Sequence, residues 1–134
     1  MVRALLRGLF QVRGGACAVT VLALALTACA GSAGRDGEDA GGGSADRGRQ
    51  AIERFGCGAC HTIPGIEGAQ ASVGPSLEGI GRRARLAGDL PNTPDNLVRW
   101  IRTPQDVVAG TMMPNLGIGD RDARDIAAYL YTLR

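Results

Sequence analysis

Lysine is absent from this sequence; all 15 basic side chains are arginine. Beside the 21 glycines, this reads as a coding bias rather than as a device of function. Against 13 acids the formal net charge is only +2. That is too little for the dense basic face that nucleic acid requires, and it sets that partner class aside. Histidine occurs once, and four cysteines are too few for a disulfide framework. Aromatic residues make up 4 % of the chain, and beyond residue 46 they are Phe55, Trp100, Tyr129 and Tyr131 alone. No segment alternates convincingly as a strand would. No apolar run reaches the roughly 20 residues of a membrane-spanning helix. The longest, Ala16 to Leu26, follows Arg3, Arg7 and Arg13 and is free of acids.

A basic start and a short apolar run are the two parts of a secretory signal peptide, expected over residues 1–28. No twin-arginine pair precedes the apolar run, so the general secretion route is expected. The run ends in Leu26-Thr27-Ala28-Cys29, which resembles the bacterial lipobox. On that reading Cys29 becomes the lipid-modified first residue, and Cys17 leaves with the signal. The simpler reading is an ordinary signal cut nearby, after Ala30, leaving a soluble protein. Residues 29–46 then form a lipid-anchored flexible linker, rich in Gly and carrying Asp36, Glu38, Asp39 and Asp46 against Arg35. A Gly-rich tether of ~16 residues reaches about 20–25 Å on average. The expected location is exported, held at the membrane through Cys29, and facing the periplasm or cell exterior.

Residues 47–134 carry eleven arginines against nine acids and form the expected domain. It is small for a core made of protein alone. Three main helices are predicted, giving an all-α class. The first runs from about Asp46 to Phe55, with Asp46 as N-cap and Ala51, Ile52 and Phe55 on one face. The second spans about Pro94 to Thr103, capped by Thr93 and stopped by Pro104, with Leu97, Trp100 and Ile101 inward. The third covers about Arg121 to Leu133, capped by Asp120, with Ile126, Tyr129, Leu130 and Leu133 as its stripe. A short helical turn is expected near Ser76 to Gly81. The long Gly- and Pro-containing loops between these helices call for something central to organise them.

Cys57-Gly58-Ala59-Cys60-His61 supplies that centre. C-x-x-C-H reads as an attachment site for haem c. Cysteines three apart in one helical turn point the same way and can each bond one vinyl group of a single porphyrin. The next residue then offers an imidazole to the iron. A structural zinc site would need a fourth ligand, and neither a second histidine nor another cysteine is left in the domain. A thioredoxin-like pair would sit in a βαβ pattern, which is missing. Met112 and Met113, in a polar Gly-rich loop that is a poor place for core filler, are the candidates for a further iron ligand.

Taken together, these residues resemble the class I cytochrome c family, over about Arg47 to Arg134. Gly74-Pro75-Ser76-Leu77 is similar to the family's G-P-x-L, which implies a hydrogen bond from His61 to the Pro75 carbonyl. Leu97 to Pro104 resembles the helix that ends in proline ahead of the methionine loop. The family's ligand methionine follows that proline by nine residues, usually within G-T-x-M; in Gly110-Thr111-Met112-Met113 that implies Met113. Asp125 to Leu130 resembles the last helix, which crosses the first near a glycine, here Gly48, with Ile52 where the family often has an aromatic. Trp100 falls where an aromatic contacts the methionine side of the haem, and Arg82 and Arg83 both qualify as the propionate-binding arginine. Two features depart from the family: one extra residue before Cys57, and the missing lysine ring, so the family's docking surface does not carry over. The loops around Thr62 to Ile66 and Met113 to Gly117 are similar to those of bacterial cytochromes associated with haem-copper oxidases.

The resemblance implies a small cytochrome c fold with loops wrapped around one covalent haem. It further implies a one-electron carrier of a respiratory chain rather than an enzyme. Its donor would be a quinol-oxidising complex or a dehydrogenase, and its acceptor a terminal haem-copper oxidase. Two rivals belong to other classes: a gas or peroxide sensor or enzyme whose methionine dissociates, and a subunit whose haem only stabilises an assembly.

Overall fold

The computed structural model describes residues 42–134. The expected signal peptide, Cys29 and the linker as far as residue 41 lie outside the described residues. Four α-helices, two short 3-10 turns and one two-stranded sheet make up the described part.

Helix α1 spans Ala45–Arg54. Its cap is Ser44, whose side chain accepts from the Arg47 N–H, and not Asp46 as expected. Serine two residues earlier leaves Asp46 in the first turn, where its charge still suits the helix N-terminus. Gly43 and Ser44, expected in the linker, are buried parts of the fold. Helix α2 spans Pro94–Arg102, with Thr93 as N-cap and Pro94 in its first turn, as expected. Pro104 ends it but also opens helix α3, Pro104–Val107, which the sequence reading did not foresee. Proline cannot continue a helix, yet its fixed φ suits the first turn of a new one.

Helix α4 spans Asp120–Thr132 and starts from Gly119, without a side-chain cap. Asp120 lies inside the helix, and its carboxylate takes Arg102 at 3.0 Å and Arg124 at 2.8 Å instead of capping. The buried face is wider than the expected stripe, because Ala123, Ala127 and Ala128 join Ile126 and Leu130. Strands β1, Arg85–Leu86, and β2, Leu90–Pro91, pair antiparallel. They correct the expectation of no strands; two residues each are too few for alternation to be read. The structure remains mostly helical, as expected.

Helices α1 and α4 form the main packing contact. They cross at Gly48, where any Cβ would run into the Asp125 carbonyl and lie 3.0 Å from Tyr129 Cβ. Such an approach needs glycine. Around it sit Ala51, Ile52, Ala127 and Ala128, all buried to about 1 % exposure. Small side chains on both helices let the backbones close in.

One charged group lies in this contact. Asp125 is buried and accepts from the Ser44 N–H at 2.7 Å and from Arg47 Nε and Nη2 at 2.9 and 3.0 Å. Burial alone pushes its carboxyl up. The hydrogen bonds from Arg47 and Ser44, with the charges of Arg47 and Arg121, outweigh it and hold the group below the usual carboxylate range. Asp125→Ala leaves the buried Ser44 N–H without its acceptor and the part-exposed Arg47 without this carboxylate, and is expected to cost about 1–3 kcal/mol. A carboxyl depressed by folding contributes stability above its unfolded pKa of ~3.9 and loses it as pH falls through the folded value. Denaturant unfolding of wild type and variant below neutral pH checks both. The difference between them should shrink in that acid window; one that is small at pH 7, or unchanged by acid, would contradict this assignment.

Candidate functional site

Gly56, in the left-handed region at φ +68°, ends the run from α1 and opens a 3-10 turn at Cys57–Ala59. Cys60 N–H and His61 N–H both donate to the Cys57 carbonyl, at 3.2 and 3.1 Å. The motif is thus wound into one tight turn. Both cysteines are half-buried free thiols. Burial pushes the Cys57 thiol up, with a smaller push from Cys60 and a backbone hydrogen bond opposing. Among the described residues no three His, Cys, Asp or Glu come together to hold a bare metal ion.

His61 is oriented from outside the motif. Its Nδ1 lies 2.8 Å from the Pro75 carbonyl oxygen. A carbonyl only accepts, so Nδ1 carries a proton, and the neutral ring then has its lone pair on Nε2. The loop bearing Pro75 is tied back by Gly74 N–H to the Cys60 carbonyl at 2.7 Å and Leu77 N–H to the Thr62 carbonyl at 2.9 Å. Gly74 packs flat on the ring; a Cβ there would be 2.7 Å from Nδ1.

These groups line a cavity of about 690 Å³, inside the roughly 300–1,000 Å³ range of cofactor sites. Cys57, Cys60, His61, Pro75, Trp100 and Met113 all border it. The remaining wall is apolar, built from residues such as Ile52, Leu97, Ile101 and Leu130. Its charged residues are Arg83 and Arg85, with no carboxylate. An apolar hollow holding two thiols, an imidazole and a thioether, with guanidinium groups at the wall, fits a porphyrin with anionic side chains. A hydrated ion would find too few donors there.

The members of two neighbouring pairs stand differently, although Met112 and Met113 both border the cavity. Met112 is 88 % exposed, whereas Met113 is half-buried. Met113 is held by its N–H to Thr111 Oγ1 at 3.3 Å and its carbonyl to Gln105 Nε2 at 2.6 Å. Arg82 and Arg83 are both exposed, but only Arg83 borders the cavity. The Arg83 guanidinium donates to the backbone carbonyls of Ser76 and Glu78 at 2.6 and 2.9 Å.

Arg85, Gln105 and the hairpin residues Leu86 to Gly88 were missed as contributors. The Ala87-Gly88-Asp89 stretch between Leu86 and Leu90 is a turn signal that could have exposed the hairpin. Gln105 carries no such signal, because its part depends on where the Met113 loop folds back.

The family model for Cytochrome c matches residues 45–134. A protein named cytochrome c2 from Rhodopila globiformis is 40 % identical over 91 residues, covering 58 % of this chain and 83 % of that protein. A protein named cytochrome c oxidase subunit 2 from Alkalihalophilus pseudofirmus is 36 % identical over 91 residues, 67 % of this chain but 26 % of its own length. One of the same name from a Bacillus species is 35 % identical over 66 residues, 48 % of this chain and 18 % of its own. The chain therefore spans about a quarter or less of these two oxidase subunits.

The contact at Gly74 yields a prediction. Gly74→Ala forces the His61 ring or the loop to shift and is expected to cost about 1–3 kcal/mol. Thermal unfolding measures the loss, and the His61 ring resonances report the displacement. A variant as stable as wild type with an unmoved ring would show that the loop yields freely.

Proposed function

The chain belongs to the cytochrome c family of electron carriers, and from that premise we propose that it is a membrane-tethered carrier with one haem c, delivering single electrons to a terminal haem-copper oxidase. One observation carries this reading: Cys57, Cys60, His61 and Met113 border a single apolar cavity, with the His61 Nδ1 proton spent on Pro75. Bound haem supplies an Fe(III)/Fe(II) couple whose potential is raised by Met/His ligation and by shielding from water. Cys57 and Cys60 would hold the porphyrin through thioethers. His61, through Nε2, and Met113, through its sulfur, would hold the iron. Two side-chain ligands would leave the iron no open position for a substrate, which favours a carrier over a sensor or an enzyme.

The acceptor is proposed from the names of the two oxidase-subunit relatives, and the donor is proposed as a quinol-oxidising complex or a dehydrogenase. The exposed large apolar side chains among the described residues, Val73, Met112 and Leu116, all border the same cavity. With Arg83 and Arg85 beside them, this mouth suits a redox partner presenting an apolar face with an acidic margin. Among the described residues no helix is long and apolar enough to cross a membrane. The tether is proposed at Cys29.

The test is a redox titration followed by visible absorption, on wild type, Met112→Ala and Met113→Ala. Met113→Ala is expected to lose the red band of thioether-ligated ferric haem. It should also lower the midpoint by on the order of 0.1 V, within the ~0.8 V that axial ligands command. Met112→Ala should change neither. A wild type that lacks the band and takes up carbon monoxide readily has an open iron, and the sensor reading replaces this one. For the tether, Cys29→Ser should move the haem protein from the membrane to the soluble fraction of the cells that make it. Unchanged fractionation would place the anchor elsewhere.

A further inference from the structure

Asn92 stands between β2 and α2, and it does not border the cavity. Its side-chain amide is nevertheless engaged on all sides. Nδ2 donates to the carbonyls of Ile80 and Arg83, both at 2.8 Å. Oδ1 accepts from the Tyr131 hydroxyl at 2.8 Å. The flipped amide would aim its oxygen at two carbonyls, so only one orientation satisfies the site. The Asn92 N–H adds a bond to the Ala84 carbonyl at 3.0 Å. One neutral side chain thereby pins the 80–84 segment against the end of α4.

That segment carries Arg83, whose guanidinium reaches back to the carbonyls of Ser76 and Glu78. Those carbonyls belong to the loop that presents the Pro75 oxygen to His61 Nδ1. The loop's other long-range ties, from Gly74 and Leu77, run through its backbone. Arg83 is the side-chain brace among them, and its own backbone is fixed by Asn92. The path to the imidazole is Asn92 Nδ2, Arg83, the Ser76 carbonyl, Pro75 and His61.

We propose that Asn92 is a positioning residue for His61: its two donated hydrogen bonds hold the Arg83 brace, and the brace holds the Pro75 carbonyl against Nδ1. This rests on His61 being the iron ligand. An imidazole that keeps its Nδ1 hydrogen bond is the more basic donor to a metal. Loosening the carbonyl weakens that donation, stabilises the ferric state less and raises the midpoint potential. Asn92 carries no charge, so replacing it by a neutral residue leaves no direct ionic field to account for a shift.

The experiment uses the haem-loaded protein and compares Asn92→Ala with Tyr131→Phe. Tyr131→Phe removes the hydroxyl that fills Oδ1 but keeps both Nδ2 donations, so it controls for lost stability. Both variants should melt below wild type. Only Asn92→Ala should raise the midpoint potential, and only there should the His61 Nδ1 proton exchange with solvent at least tenfold faster. If Asn92→Ala does not accumulate, Asn92→Gln, which displaces the same amide by one methylene, carries the comparison. Variants that differ in melting but share the wild-type potential and exchange rate overturn the proposal, as do equal shifts in both. If the wild type itself lacks histidine ligation, the carrier reading falls and this inference with it; if ligation is present and the variants behave alike, this inference falls alone.

Discussion

The crossing of α1 over α4 at Gly48 is the contact on which the other parts of the domain depend. It joins the first element of the fold to the last, and its geometry allows no side chain at the point of closest approach. Apolar burial there is modest, because alanines and one isoleucine do the packing. Asp125 makes up for that in specificity. A carboxylate buried at the crossing must meet Arg47 and the Ser44 N–H, and sliding α1 by one turn would strand it. A buried charge with one acceptable set of partners penalises every alternative register, and here it fixes the start of α1 against the middle of α4.

What the crossing fixes is the position of the cysteine turn. Cys57 to His61 follow α1 directly, so the angle of α1 on α4 sets where the thiols and the imidazole stand. The opposite end of α4 anchors a second set of parts. Leu133 accepts from the Gly81 N–H at 2.9 Å, and Tyr131 engages Asn92. One helix thereby locates both the His61 side chain and the segment that steadies its carbonyl partner. The Met113 loop is held differently, by Gln105 and Thr111 close to it in sequence. A loop tied mainly by local bonds can open with less loss of structure than one tied into the core, so under the proposed ligation the methionine side is the side expected to yield first.

The parts of this arrangement that were legible in the sequence are those with short-range physical causes. Proline at the first turn of α2, threonine before it and the 3.6-residue spacing of Leu97 and Ile101 need no distant partner to be read. The attachment motif is local as well, and the Gly48 crossing was expected from the family resemblance. The misreadings share the opposite character. Asp120 looks like a cap in isolation, yet Arg102, eighteen residues away, and Arg124 claim its carboxylate. Ser44 was assigned to the linker because glycines precede it, but its N–H finds Asp125 at a separation of 81 residues. Arg82 and Arg83 are equivalent neighbours on paper and differ only in which of them the 3-10 turn at Ile80–Arg82 delivers to the cavity wall.

The missing lysines and the placement of the arginines belong to one argument. A guanidinium satisfies several carbonyls at once and stays charged, so it can brace a loop and still contribute positive charge at a cavity wall. Arg83 does both, bonding two backbone oxygens while facing the hollow. Elsewhere Arg47, Arg54, Arg102 and Arg124 are paired with carboxylates on the body of the fold. Their charge is largely neutralised there, whereas Arg83, among the described residues, bonds backbone carbonyls and pairs with no carboxylate. Its positive charge thus stands at the cavity wall that Val73, Met112 and Leu116 also border. Under the proposed carrier function, such a surface would orient a partner by a small local field and hold it by apolar contact, which differs in kind from a ring of charges spread around the molecule.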